Sequence, residues 1–203
     1  MILITGLAHT GSTALLLLLE RLGFTIGREQ FPQPVLELLR EPRLQAQIDA
    51  GVRPVWPDVI KHHGGFCYHL HEHVDRWGWN VEQVFVMTRD LEESLQRRAL
   101  YAGGREFTHR AFGIGYDEWN QLGTEGRFKI ARNHLKDQLG SLIFQLSARD
   151  YPFSCIQYPR WVRDFEYTHR KLSVLGIGRQ GLQQKFSEMI DLSRVHSYTE
   201  QGA

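Results

Sequence analysis

The sequence predicts an α/β fold: a three-layer domain with a central, mainly parallel β-sheet flanked by helices. Three observations carry this. Apolar runs of strand length recur at Ile2-Leu3-Ile4-Thr5, Asp58-Val59-Ile60-Lys61, Gln83-Val84-Phe85-Val86-Met87-Thr88 and Phe153 to Gln157. Segments with helical spacing separate them, the alternation that links parallel strands by crossovers. Polar clusters follow three of the strands, Gly6 to Thr13, Lys61-His62-His63 and Arg89-Asp90, and in open parallel sheets ligands bind beyond those carboxyl ends.

Taken in order, the first strand leads through a glycine-bracketed turn into a helix from Ser12 to Leu22. Its continuous leucines imply burial on nearly all sides, and Gly23 ends it. Phe24 to Gly27 is a short return segment. Pro34 opens a helical pattern, Val35 to about Ala50, that Pro42 breaks or offsets. Gly51 to Pro57 reads as loop. Tyr68 to Trp77 is a helix closed by a turn at Gly78, and Gln83 to Thr88 is the clearest buried strand. Leu91 to Ala102 follows as a helix with acidic residues in its first turn. Gly103 to Gly126 is irregular and reads as a lid or insertion with one short helix. Arg127 to Arg149 is a long amphipathic helix, with Phe128, Ala131, Leu135, Leu139, Leu142 and Leu146 spaced by three and four. Two or three short helices fill Trp161 to Leu192, and the tail after Val195 is loosely held.

The 203 residues suit one domain, 1–203, with a sizeable core. Formal net charge is +1, so no bulk field recommends nucleic acid or an anionic membrane as partner. Cys67 and Cys155 form no metal or redox spacing and read as small buried hydrophobes. The apolar N-terminus has no basic segment before it, and Glu20-Arg21 ends its run. Ala14 to Leu19 is too short to span a bilayer. A cytoplasmic protein with no membrane span is expected.

The turn Gly6-x-x-x-x-Gly11 has the spacing of a Walker A loop, but Ser12-Thr13 follow directly and the lysine is missing. Loop amides and the free N–H groups of the first helical turn point at one spot, where the helix dipole favours an anion. Read alone, the stretch is either a nucleotide-binding loop without its lysine or a strand–turn–helix with two turn glycines and no ligand.

Taken together, the clusters resemble the P-loop sulfotransferases, which use 3′-phosphoadenosine-5′-phosphosulfate (PAPS) as donor. Their first loop, [KR]-S-G-T-[TS], binds the donor's 5′-phosphate. His9-Thr10-Gly11-Ser12-Thr13 is similar, with His9 in the basic position. A second element, K-[TS]-H, resembles Lys61-His62-His63, which implies His63 as general base and Lys61 near the sulfuryl group. A third, a strand leading into R-[DN]-P-x-[DE], resembles Val84 to Glu93 with Leu91 in place of proline. It implies that Arg89 binds the 3′-phosphate. The family's serine position holds Arg97, and Ser94 lies one turn earlier. A softer likeness covers Tyr158-Pro159-Arg160-Trp161-Val162-Arg163-Asp164 and the helix ending Leu175-Gly176. The family's R-K-G-x-x-G closing motif has only a faint echo in Arg179-Gln180-Gly181.

The implied enzyme transfers a sulfuryl group from PAPS to a hydroxyl or amine of a small molecule or sugar, and needs no metal. His63 and Lys61 are its catalytic pair. His9, Thr10, Gly11, Ser12 and Thr13 hold one phosphate, and Arg89, Ser94 and Arg97 the other. His9 replaces a permanent cation by a group that titrates near neutrality. Plainer readings stand beside each: a surface histidine for His63, a salt bridge to Asp90 or Glu93 for Arg89, and solvated helix positions for Ser94 and Arg97. The histidines at 62, 63, 69, 71 and 73 lack the partners of a zinc motif, and acceptor binding or surface exposure is expected of them. Tyr68, Trp77, Trp79, Phe107, Phe112, Tyr116 and Trp119 line an acceptor pocket or belong to the core. Two rival readings remain: a nucleotide-dependent kinase, which needs the missing lysine and a magnesium carboxylate such as Asp90, and a non-catalytic nucleotide-binding or scaffold protein.

Overall fold

A computed structural model describes residues 1–7, 10–26, 56–62, 64–95 and 114–191. The predicted helix from Val35 to Ala50, most of the loop before Pro57, the stretch 96–113 and the tail lie outside the described residues. So do three of the assigned site residues, His9, His63 and Arg97.

Four strands form one all-parallel sheet: β1 (Ile2–Gly6), β2 (Val59–Lys61), β3 (Gln83–Thr88) and β4 (Phe153–Gln157), in spatial order β2-β1-β3-β4. The register sets Ile4 beside Lys61 and Phe85, and Thr88 beside Gln157. The chain leaves β1 toward β2 on one side and returns to β3 on the other. The crevice beyond the ends of β1 and β3 is therefore the point where the winding reverses, the usual ligand position in such sheets.

The helices form two layers. On one face lie α1 (Ser12–Arg21), α5 (Arg160–Arg163), α6 (Phe165–Leu172), a 3₁₀ turn (Ser173–Leu175) and α7 (Arg179–Met189). They pack on Ile2, Ile4, Val59, Phe85, Met87 and Ile156. Leu15, Leu16, Leu18 and Leu19 of α1 are completely buried, each worth roughly 2 kcal/mol of burial. On the other face α2 (Gly64–Trp77) and α4 (Thr124–Ala148) cover Leu3, Ile60, Val84 and Val86 through Leu70, Val74, Leu142 and Leu146. Along β1, β2 and β3 the side chains alternate between these two cores, as a pleat requires.

Several boundaries differ from expectation. Helix α2 starts at Gly64 rather than Tyr68 and breaks its regular torsions at His69. Helix α4 starts at Thr124, so the last residues assigned to the lid are its first turn. A short helix, α3 (Tyr116–Gln121), does lie in that stretch. Residues 91–95 are helical, with Asp90 capping them by accepting the Glu93 N–H at 3.0 Å. Cys67 is buried as expected, but Cys155 is exposed, because β4 is the outer strand and no helix among the described residues covers that part of its face. No helix among the described residues is long and apolar enough to cross a membrane.

Candidate functional site

The loop after β1 is held from three directions. Leu7 N–H donates to Met87 C=O at 3.0 Å, which keeps the chain against β3 beyond the last strand residue. Gly6 makes this approach possible: its φ is +110°, and a Cβ there would lie 2.3 Å from Met87 O. Thr10 then turns the loop, its hydroxyl donating to Leu7 C=O at 2.7 Å. Gly11, at φ +71°, caps α1 in the left-handed region, and a Cβ on it would press on Tyr158 and Trp161 at 2.9 and 3.1 Å. The Trp161 indole N–H donates to Thr10 C=O at 3.4 Å. Thr10 and Ser12 are buried, whereas Thr13 is exposed and opens the first turn of the helix outward.

Lys61 comes to this turn from the end of β2. Its place on the pleat sends its side chain to the α1 face, the face of Val59 rather than Ile60. Its ammonium donates to Thr13 Oγ1 at 2.6 Å. Lys61 is only 4% exposed, and no carboxylate among the described residues pairs with it. Burial pushes its pKa down from 10.5 to about 8, so at neutral pH it remains mostly a cation, beside only a neutral hydroxyl.

Arg89 stands at the end of β3, its side chain 2% exposed, and its circumstances are different. Its Nε donates to Glu93 Oε2 at 2.8 Å, one helical turn on. The guanidinium lies over the Tyr158 ring at 4.8 Å, and Tyr158 in turn is the ring that packs on Gly11. The pair with Glu93 is the plainer of the two roles foreseen for this arginine. Ser94 is buried and its hydroxyl donates to Asp90 C=O at 2.8 Å, so its proton is spent within its own helix.

The structure thus brings together Thr10, Gly11, Ser12, Thr13 and Lys61 at one end of the sheet, with Arg89 joined to them through Tyr158. The histidine segment is dispersed. His71 shares a hydrogen bond with Gln145 Oε1 at 2.9 Å, and His69 pairs with Glu72 at 3.1 Å at the surface. His73 is held near pKa 4 by burial, with His62 and His69 adding like-charge pressure. No group of three or more His, Cys, Asp or Glu among the described residues is arranged to hold a metal ion. Of the aromatic residues expected at a pocket or in the core, Trp79 and Trp119 are core. Phe107 and Phe112 lie outside the described residues.

Two residues that the sequence marked only as part of the softer likeness, with no site role, do positional work. Tyr158 and Trp161 press on Gly11 and bond the loop, although 151 residues separate Trp161 from Thr10. The available signal was a pair of aromatics directly after the end of a strand, where the chain must turn past the site. The chain matches no protein-family model and, in a search of curated proteins, no characterised protein significantly.

Proposed function

We propose that the chain is a sulfotransferase-like enzyme that transfers a sulfuryl group from PAPS to a hydroxyl or amine of a small molecule or sugar. The observation that carries this reading is Lys61: a buried cation with a hydroxyl but no carboxylate partner among the described residues, beside a glycine loop and the first turn of a helix. Burying an ammonium without a counter-charge is costly, and an anionic ligand at the turn removes that cost. The missing Walker lysine is thereby compensated from the neighbouring strand, and the lower charge that His9 brings to the loop matters less.

In the transfer, the acceptor oxygen or nitrogen forms a bond to sulfur while the bond from sulfur to the bridging 5′-phosphate oxygen breaks. The electron pair of that bond leaves with 3′,5′-adenosine bisphosphate. Lys61 steadies the developing charge on the leaving oxygen, and the loop amides orient the 5′-phosphate. The acceptor's proton passes to His63, the sequence-assigned base. Arg89 assists at the 3′-phosphate.

A kinase is the second reading, favoured by the same lysine, since β2 supplies a cation that the loop lacks. Asp90, its candidate magnesium ligand, is occupied as a helix cap. Calorimetric titration with 3′,5′-adenosine bisphosphate and with ATP separates the readings. Magnesium-independent binding of the bisphosphate is expected. Preference for ATP with a magnesium requirement overturns the proposal, and binding of neither favours a scaffold. His63→Ala is expected to abolish turnover and leave bisphosphate affinity unchanged.

A further inference from the structure

The outer edge of the sheet has a different kind of opening. Strand β4 lies at the edge of the sheet, and its ladder to β3 fixes which backbone groups face outward. Val84 N–H donates to Pro152 C=O and Tyr158 N–H to Thr88 C=O. In a parallel ladder the pattern then alternates, so Ser154 and Ile156 turn inward and Phe153, Cys155 and Gln157 turn outward. On that outer edge Gln157 N–H donates to the Tyr167 hydroxyl at 2.9 Å, and the hydroxyl donates to Cys155 C=O at 3.4 Å. Phe153 N–H and C=O, Cys155 N–H and Gln157 C=O bond to nothing among the described residues. The side chains of Phe153, Cys155 and Gln157 are all exposed, Phe153 at 38%.

An edge like this is ordinarily blunted by a charge or proline within the strand, and Phe-Ser-Cys-Ile-Gln has neither. The charges lie beside it instead, and the basic ones outnumber the one carboxylate among them, Asp164. Around the Tyr167 ring stand Arg160 at 4.5 Å, Arg170 at 5.7 Å and Lys171 at 5.7 Å. Lys171 is near enough to Cys155 for its charge to act on the thiol. Of the three, Arg160 pairs with Asp164 at 3.4 Å, and Arg170 and Lys171 form no ion pair among the described residues.

We propose that the outer edge of β4, with the Arg160, Arg170 and Lys171 cluster beside it, docks an extended acidic segment of another protein as an added strand. Backbone bonds supply the adhesion and the basic cluster selects the charge. Charge argues against a second copy of this chain: pairing β4 with β4 would set two basic clusters side by side. The short open edge makes this a weak, micromolar kind of contact.

The test uses a fluorescein-labelled peptide of alternating Glu and Val and, as control, the same peptide with every backbone amide methylated. Anisotropy on the intact chain at low salt is expected to show saturable binding of the first, and at least about tenfold weaker binding of the second, which keeps its charge but cannot form a ladder. Arg170→Glu with Lys171→Glu is expected to weaken the first peptide by about tenfold or more. Cys155→Pro, which deletes an outward N–H and spares the ladder to β3, should weaken it as well. Equal binding of the two peptides, or no saturable binding, overturns the proposal. So does sedimentation showing a dimer that Cys155→Pro dissociates. The two peptides are compared on the unaltered chain, so their difference decides the matter even if the proline variant does not fold.

Discussion

Lys61 and Arg89 occupy the same end of one sheet, and both are buried. Arg89 has Glu93 at 2.8 Å and the Tyr158 ring beneath it, while among the described residues Lys61 has the Thr13 hydroxyl alone. A buried cation that carries its own carboxylate is complete, and holds its loop in place whether or not a ligand is present. A buried cation without one is a debt in folding free energy that only an anion removes. The two residues, equals in the sequence motifs, therefore rank differently in the fold: Lys61 has the stronger claim to a ligand-binding role.

Replacing Lys61 by Met gives the sharpest way to break that ranking. The bisphosphate affinity of Lys61→Met is expected to fall by about a thousandfold, the scale of losing a close charge pair. Its stability to urea is expected to rise, because the cost of burying the charge disappears. Retained affinity, or a loss of stability, would place the anion elsewhere.

The next effect is seen against pH. Lys61 has a lower pKa folded, about 8, than its ordinary 10.5. Between these values the unfolded chain binds more protons, so stability rises with pH across that window, by about 3 kcal/mol at most. Urea titrations of the native chain and of Lys61→Met at pH 7.5 and 10.5 isolate the contribution. The rise attributable to this lysine is expected only in the native chain.

Glu93→Gln tests the other cation. Uncovering a buried guanidinium whose partner is itself partly exposed is expected to cost about 2 kcal/mol of stability. Bisphosphate binding should tighten as Arg89 is released. Unchanged affinity would make Arg89 structural alone. Thr13→Val, finally, removes the acceptor of the Lys61 bond at an exposed position. About 1 kcal/mol of stability is expected to be lost, and the pH window should extend downward as the lysine loses its last partner.

Much of the framework was legible. The run Gln83 to Thr88 is apolar and β-branched enough to read as a central strand, and it spans the observed β3. The leucines of α1 announced a helix buried against a sheet, and the glycine spacing announced a loop of close backbone approach. What remained hidden depends on register. The burial of Lys61 follows from the pairing of Ile4 with Lys61 and the side of the pleat it faces, neither of which its neighbours in sequence encode. Cys155 was expected to be buried and is exposed, because whether a strand lies at the centre or the edge of a sheet is decided by partners elsewhere in the chain. The clamp of Tyr158 and Trp161 is likewise a tertiary fact.

That clamp bears on how the protein is made. The loop begins six residues into the chain, yet the rings that pack on Gly11 and bond Thr10 lie at Tyr158 and Trp161. A nascent chain emerges from its N-terminus at about 5–20 residues per second. It therefore exposes the glycine loop long before the rings that brace it. During that interval the first strand and helix exist as sequence, but the braced loop does not. Anion binding by a growing chain is expected only once β4 and α5 have left the ribosome, so ligand occupancy would report a chain made at least as far as Trp161.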